Sequence, residues 1–98
     1  MKKLESFPRL SLGILPTPLS KLPNLSQDLG INLYIKRDDM TGVSLGGNKV
    51  RKLEFLLADA KNKGADYVMT TGGAQSNHAM LTAACANKLG MKAILVLK

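Results

Sequence analysis

The sequence predicts an α/β fold with parallel strands. Three observations carry the prediction. Short apolar or alternating runs at 32–36, 66–71 and 93–97 read as strands, two longer segments with helical spacing lie between them, and glycines stand at the joins. Strand, helix, strand, helix, strand in that order argues for a parallel layer, because parallel neighbours need a crossover and the crossover is right-handed.

The elements follow in chain order. Residues 8–23 are rich in Pro, Leu and Ser, and Pro16 and Pro18 close off any helix, so this part reads as an arm lying on something larger. Residues 20–29 suit a short, broken helix with Gly30 as its stop. Asn32-Leu33-Tyr34-Ile35-Lys36 alternates polar and apolar side chains and reads as a strand. A loop over 37–48 carries Asp38, Asp39 and the glycines at 42, 46 and 47. Asn48 is a plausible cap for a helix ending near Gly64, with Val50, Leu53, Leu57 and Ala60 as its buried stripe. The strand at 66–71 stops at Gly72-Gly73. A second helix, 76–89, has Ala79, Met80, Ala83, Ala84, Cys85 and Ala86 around most of its circumference and is expected to be buried on several sides. Gly90 ends it, and the apolar run 93–97 reads as a parallel-sheet strand. The chain stops at Lys98 directly after that strand, so it is expected to be the front of a longer protein. Residues 1–45 would form an arm, short strand and loop, and residues 46–98 a partial α/β domain.

Composition narrows the function classes. At 98 residues there is room for one small domain, and 45% apolar residues argues against disorder. The absence of tryptophan argues against a stacking platform for single-stranded nucleic acid. A lone cysteine, Cys85, excludes an internal disulfide, suggests a reducing compartment and reads as core. Glu5, Pro8 and Arg9 interrupt the basic start, so no signal peptide is read, and no apolar stretch is long enough to span a bilayer. A soluble, cytoplasmic protein is expected. The net charge of +7 raises nucleic acid as a partner, but the basic residues are scattered from Lys2 to Lys98 and cluster only at 49–52, which favours a solvated surface.

Ligands of open parallel sheets bind beyond the carboxyl ends of the strands, and two loops are expected there. One delivers Gly46-Gly47-Asn48-Lys49 to a helix start. The other, Gly72-Gly73-Ala74-Gln75-Ser76-Asn77-His78, opens the second helix. Both starts would point free N–H groups toward one crevice, an arrangement suited to a carboxylate or phosphate. Lys49, with the helix dipole, Arg51 and Lys52 beside it, is placed to lose its charge and act as an amine nucleophile. On spacing alone a solvated first-turn lysine explains it more plainly. Ser76 reads as an N-cap, which does not exclude catalysis, and His78 as a structural first-turn residue. Asp38 and Asp39 lack a third oxygen ligand at the spacing calcium needs and read as loop and salt-bridge residues. Neither glycine pair matches a dinucleotide or P-loop fingerprint.

Taken together, LGGNKVRKLEFLLADA and TTGGAQSNHAMLTAACANKLGMKAILVL, with FPRLSLGILPTPLSKLPNLS and YIKRDDMTG before them, resemble a known group. It is the D-cysteine desulfhydrase and 1-aminocyclopropane-1-carboxylate deaminase group of pyridoxal-phosphate enzymes, of the tryptophan-synthase-β-like fold type. The resemblance implies the N-terminal part of a two-domain enzyme with parallel sheets and pyridoxal 5'-phosphate as cofactor. Lys49 falls on the group's Schiff-base lysine and Ser76 on the serine that faces the substrate. Asn77 falls on the asparagine that hydrogen-bonds the cofactor's 3-hydroxyl oxygen. Asn48 is implied at the cofactor, Gln75 and His78 at the substrate, and Arg51 and Lys52 become bystanders or electrostatic tuners. The short KRDDMTGVSLGGNK loop and QSNH look like the desulfhydrase branch, which implies α,β-elimination of D-cysteine to pyruvate, hydrogen sulfide and ammonia. Deaminase and cysteate sulfo-lyase activities are the alternatives, and a small basic anion- or nucleic-acid-binding module is the competing class. The expected partners are a small amino-acid substrate and a second copy of the enzyme, with neither nucleic acid nor membrane. The phosphate loop and the partner of the ring nitrogen would lie after residue 98, so these 98 residues alone are expected to be inactive.

Overall fold

The computed structural model describes residues 3–98; the first two residues of the predicted arm lie outside them. The elements are β1 (Leu19–Lys21), α1 (Pro23–Leu29), β2 (Tyr34–Lys36), α2 (Lys49–Asn62), β3 (Tyr67–Gly72), α3 (Asn77–Lys88) and β4 (Lys92–Leu97), with short 3-10 turns at Leu4–Ser6 and Asp38–Met40. β3 and β4 pair in parallel from Tyr67↔Lys92 to Gly72↔Leu97, joined through α3 as the sequence predicts.

The predicted first strand does not join that layer. β2 pairs antiparallel with β1, Ser20 opposite Ile35, in a separate two-stranded sheet. The sequence reading starts a helix at 20, whereas 19–21 is strand and the helix begins at Pro23. Proline suits a first helical position because its missing N–H needs no partner there. A pairing edge for Leu19-Ser20-Lys21 exists only once β2 folds back along it, and three residues are too few to show a period of two.

The main core sits between the helices. Val50, Leu53 and Leu57 of α2 meet Leu81 and Cys85 of α3, and Leu12 of the arm and Val43 of the loop close the cluster. Cys85 is core, as predicted. Ala60, placed in the α2 stripe by its spacing, is only half-buried. Glu54 takes a place in the core that periodicity assigns to no charge; it is 1% exposed. The arm does lie along the helices: Leu10 N donates to Glu54 O at 3.1 Å and Lys88 Nζ to Leu12 O at 3.1 Å.

β4 contrasts with this packed centre. Its apolar run suggests burial on both faces, yet Ile94, Leu95, Val96 and Leu97 are exposed, as is Met69 of β3. No helix among the described residues is long and apolar enough to cross a membrane.

Candidate functional site

The lysine loop is held by backbone geometry that only glycine tolerates. Gly46 and Gly47 have φ of 79° and 145°. A Cβ on Gly46 would collide with the Asp39 carbonyl, and one on Gly47 with the Asn77 carboxamide. Thr41, fully buried, braces the same turn. Its Oγ1 donates to Gly47 O and accepts from Gly47 N, both at 3.0 Å.

Beyond the glycines the helix starts without its predicted cap. Asn48 is already in the right-handed helical region (φ −70°, ψ −21°), and its side chain makes no cap bond. A capping side chain reaches back only from an extended residue, and Asn48 is not extended. Lys49 follows, half-buried, and its ammonium makes no hydrogen bond or ion pair with the described residues.

Arg51 is committed to structural contacts. Its Nε and Nη2 donate to Asp38 at 2.8 and 2.9 Å, and Nη2 also donates to Thr17 Oγ1 at 2.9 Å. Hydrogen bonding from Arg51 first, and from Thr17 second, pulls the Asp38 carboxyl down to about 2. Asp38 and Asp39 are therefore salt-bridge residues, Asp39 with Arg37 at 2.8 Å. Arg51 fastens α2 to the loop and arm with its charge offset. Glu54 makes a parallel fastening, one turn on. It accepts from Leu12 N at 2.9 Å, Gly13 N at 3.0 Å and Arg9 Nε at 2.6 Å. Burial opposes its ionisation most strongly, but the two amides and the guanidinium together outweigh burial and leave the carboxyl below its usual value.

The second helix start is built locally. Ser76 is extended (φ −62°, ψ 120°) and its Oγ accepts from Ala79 N at 3.2 Å, so the predicted cap is present. With Ala79 N taken by that oxygen and Met80 N by Ser76 O at 3.1 Å, the Asn77 and His78 N–H groups are the open donors of the first turn. Gln75 is exposed in the turn before the cap.

The two loops meet, although they do not leave the same sheet. Asn77 Nδ2 donates to Gly46 O at 3.1 Å and Ser44 Oγ to Met80 Sδ at 3.6 Å. His78 stands within the electrostatic reach of Lys52 and Lys49. Burial first, and those two charges after it, lower its pKa and favour the neutral imidazole. Lys52 is thus a tuner of His78. The imidazole Nδ1 is buried without a hydrogen-bond partner. His78 lines an apolar groove of about 230 Å3 with Leu53, Leu57, Val68, Met69 and Thr82; Lys49, Ser76 and Asn77 do not line it.

These groups fit pyridoxal phosphate. An uncommitted primary amine stands at Lys49. Asn77 spends one of its two amide hydrogens on Gly46, and the other is left without a partner among the described residues. The glycines let the lysine loop pack directly against the Asp39 carbonyl and the Asn77 carboxamide, which brings Asn77 to the turn that leads to Lys49. Thr41 and Glu54 are the residues whose ties around these loops sequence reasoning missed. A threonine six positions before a glycine carries no periodic signal. Glu54, four residues after Val50, falls on the same face of α2 as the predicted stripe, and that spacing was the one visible hint.

A family profile described as pyridoxal-phosphate dependent enzyme matches residues 10–98. A Pyrococcus horikoshii protein with the provisional name 1-aminocyclopropane-1-carboxylate deaminase is 56% identical over 95 residues, 97% of this chain and 29% of that protein. A Salmonella paratyphi B protein named D-cysteine desulfhydrase has the same identity and coverage. A crystal structure of an "ACC deaminase homologue" superposes with a TM-score of 0.91 at 56% identity, over 96% of this chain and 29% of that one. The chain thus spans 29% of the length of these relatives.

Proposed function

The chain belongs to the pyridoxal-phosphate dependent enzyme family, and from that premise we propose that the whole protein eliminates the β-sulfur of D-cysteine. Water enters, and pyruvate, hydrogen sulfide and ammonia leave. The observation that carries the reading is the tie between Asn77 Nδ2 and Gly46 O at 3.1 Å, because it brings the Lys49 turn and the Ser76 turn to one place.

Lys49 would hold the cofactor through its amine and, once freed by the substrate's amine, take the α-proton. Asn77 would donate its remaining amide hydrogen to the cofactor's ring oxygen, with Asn48 beside it. The open N–H groups of Asn77 and His78 would bind the substrate carboxylate and fix which face of the α-carbon meets Lys49. The Ser76 hydroxyl, whose oxygen is the cap acceptor, keeps its hydrogen to orient the substrate. Gln75 and His78 border the same turn and are proposed substrate contacts. When bound, pyridoxal phosphate supplies the electron sink for the negative charge that proton removal leaves. The pair left on the α-carbon would expel the β-sulfur, and water would take the place of the amino group to give pyruvate and ammonia.

Desulfhydration rather than ring opening is supported by the short loop before Lys49 and by His78. Relatives carrying both names are equally similar, at 56% identity. Two measurements decide. Borohydride reduction of the cofactor-loaded whole protein, followed by peptide mapping, is expected to label Lys49; labelling at Lys52 or Lys36 would overturn the assignment. Hydrogen sulfide release from D-cysteine is expected to exceed ammonia release from 1-aminocyclopropane-1-carboxylate, and the reverse order would move the protein to the deaminase reaction.

A further inference from the structure

We propose that Thr41 is a positioning residue for Lys49, its hydroxyl fixing the Gly47 peptide from which α2 departs; the inference rests on the reading of Lys49 as the cofactor lysine. A glycine at φ 145° has many backbone conformations open to it and nothing in its own side chain to choose among them. Thr41 Oγ1 makes the choice by engaging both polar groups of Gly47 at 3.0 Å. One hydroxyl can do both, since it donates once and accepts on its lone pairs. The Asp38 carbonyl lies 3.4 Å away, too long to compete well for the hydrogen.

The hydroxyl is itself immobilised. Thr41 is fully buried, its β-branched side chain has few rotamers, and its carbonyl accepts from Ile14 N at 2.8 Å. The Asn77 carboxamide also lies against Gly47 and donates to Gly46 O. The Gly46–Gly47 unit is therefore held both by the Thr41 hydroxyl and by a group proposed to touch the cofactor. Lys49 lies two residues on, so a rotation of the Gly47 peptide would shift the start of α2 and the lysine it carries. The arm, through Ile14, thereby reaches the lysine without touching any reacting atom.

Thr41→Val keeps the shape and removes both hydrogen bonds, whereas Thr41→Ser keeps the hydroxyl. In the whole protein, the valine variant is expected to bind pyridoxal phosphate about tenfold more weakly, the loss expected for two neutral hydrogen bonds, with slower borohydride-trapped labelling of Lys49. Hydrogen exchange at the Gly47 amide, measured without cofactor, is expected to be slow in the wild type and faster in the valine variant. The serine variant should restore both readouts to near the wild-type level. Equal labelling and exchange in Thr41→Val and wild type would overturn the proposal, as would a serine variant as impaired as valine. Should Thr41→Val not fold, wild-type exchange at Gly47 still decides: fast exchange there overturns the latch, and slow exchange kept by serine supports it. A wild type that never labels at Lys49 sinks the function proposed above instead, and the exchange comparison then judges the latch by itself.

Discussion

α3 is closed by the residue just before it, while α2 is placed by residues far away in the chain. Ser76 turns its own Oγ onto the Ala79 amide at 3.2 Å, and that cap needs nothing beyond the turn. Asn48 makes no such bond. The start of α2 is set instead by Thr41 on Gly47, by Asn77 on Gly46, by Asp38 and Thr17 on Arg51, and by Leu12 and Gly13 on Glu54. The contrast teaches that the serine's position belongs to its local turn, whereas the lysine's belongs to the tertiary fold. The lysine side should therefore be the more sensitive to changes remote from it.

The hardest test of that contrast is Glu54→Ala. It leaves the Leu12 and Gly13 amides and the Arg9 guanidinium without their acceptor. Breaking a buried charged network of this kind costs about 3 kcal/mol. Urea unfolding of the whole protein measures it, and a loss no greater than that of a surface substitution would deny the arm its role. Ser76→Ala should cost about 1 kcal/mol in the same titration, and Ser76→Gly only a few tenths. If the serine changes cost as much as Glu54→Ala, the distinction between local and remote anchoring fails.

Acid sharpens the comparison without mutating α2. The carboxyl of Asp38 is held from its ordinary 3.8 down to about 2 by Arg51 and then Thr17. A depressed acid stabilises the fold above its ordinary value, and that contribution is lost as pH falls from 3.8 toward 2. Asp38→Asn should remove this part of the acid transition, followed by circular dichroism; unchanged acid sensitivity would show that the Arg51 tie carries no stability. The smallest effect is expected at His78. Burial first, then Lys52 and Lys49, depress its pKa below 6.5, so the unfolded chain takes up the proton before the folded one. Its contribution is intact above 6.5 and declines below that pH. The imidazole should titrate below 6.5 by NMR, and Lys52→Met should move it back upward; a midpoint indifferent to Lys52 would remove the electrostatic link between the two helices.

Much of this molecule is legible one residue at a time. The period of Val50, Leu53 and Leu57 reports α2, the glycines at 30, 64 and 90 mark where chain segments turn, and Ser76 before an alanine-rich run reports a capped helix. Lys49 and Asn77 were legible as candidates through the motifs that hold them. The β1–β2 pairing was not, since Leu19-Ser20-Lys21 has no pattern until Tyr34-Ile35-Lys36 pairs with it.

The sequence by itself determined the helices, the parallel strand pair and the local cap at Ser76, because each depends on neighbours within a turn or on a simple period. Only the tertiary structure decided that Arg51 belongs to Asp38, that Glu54 belongs to the arm, and that Thr41 and Asn77 both hold the glycines. Each of those ties joins side chain to partner across a loop or between elements. Which donor meets which acceptor there is fixed by how the segments pack, and packing leaves no periodic mark on the chain.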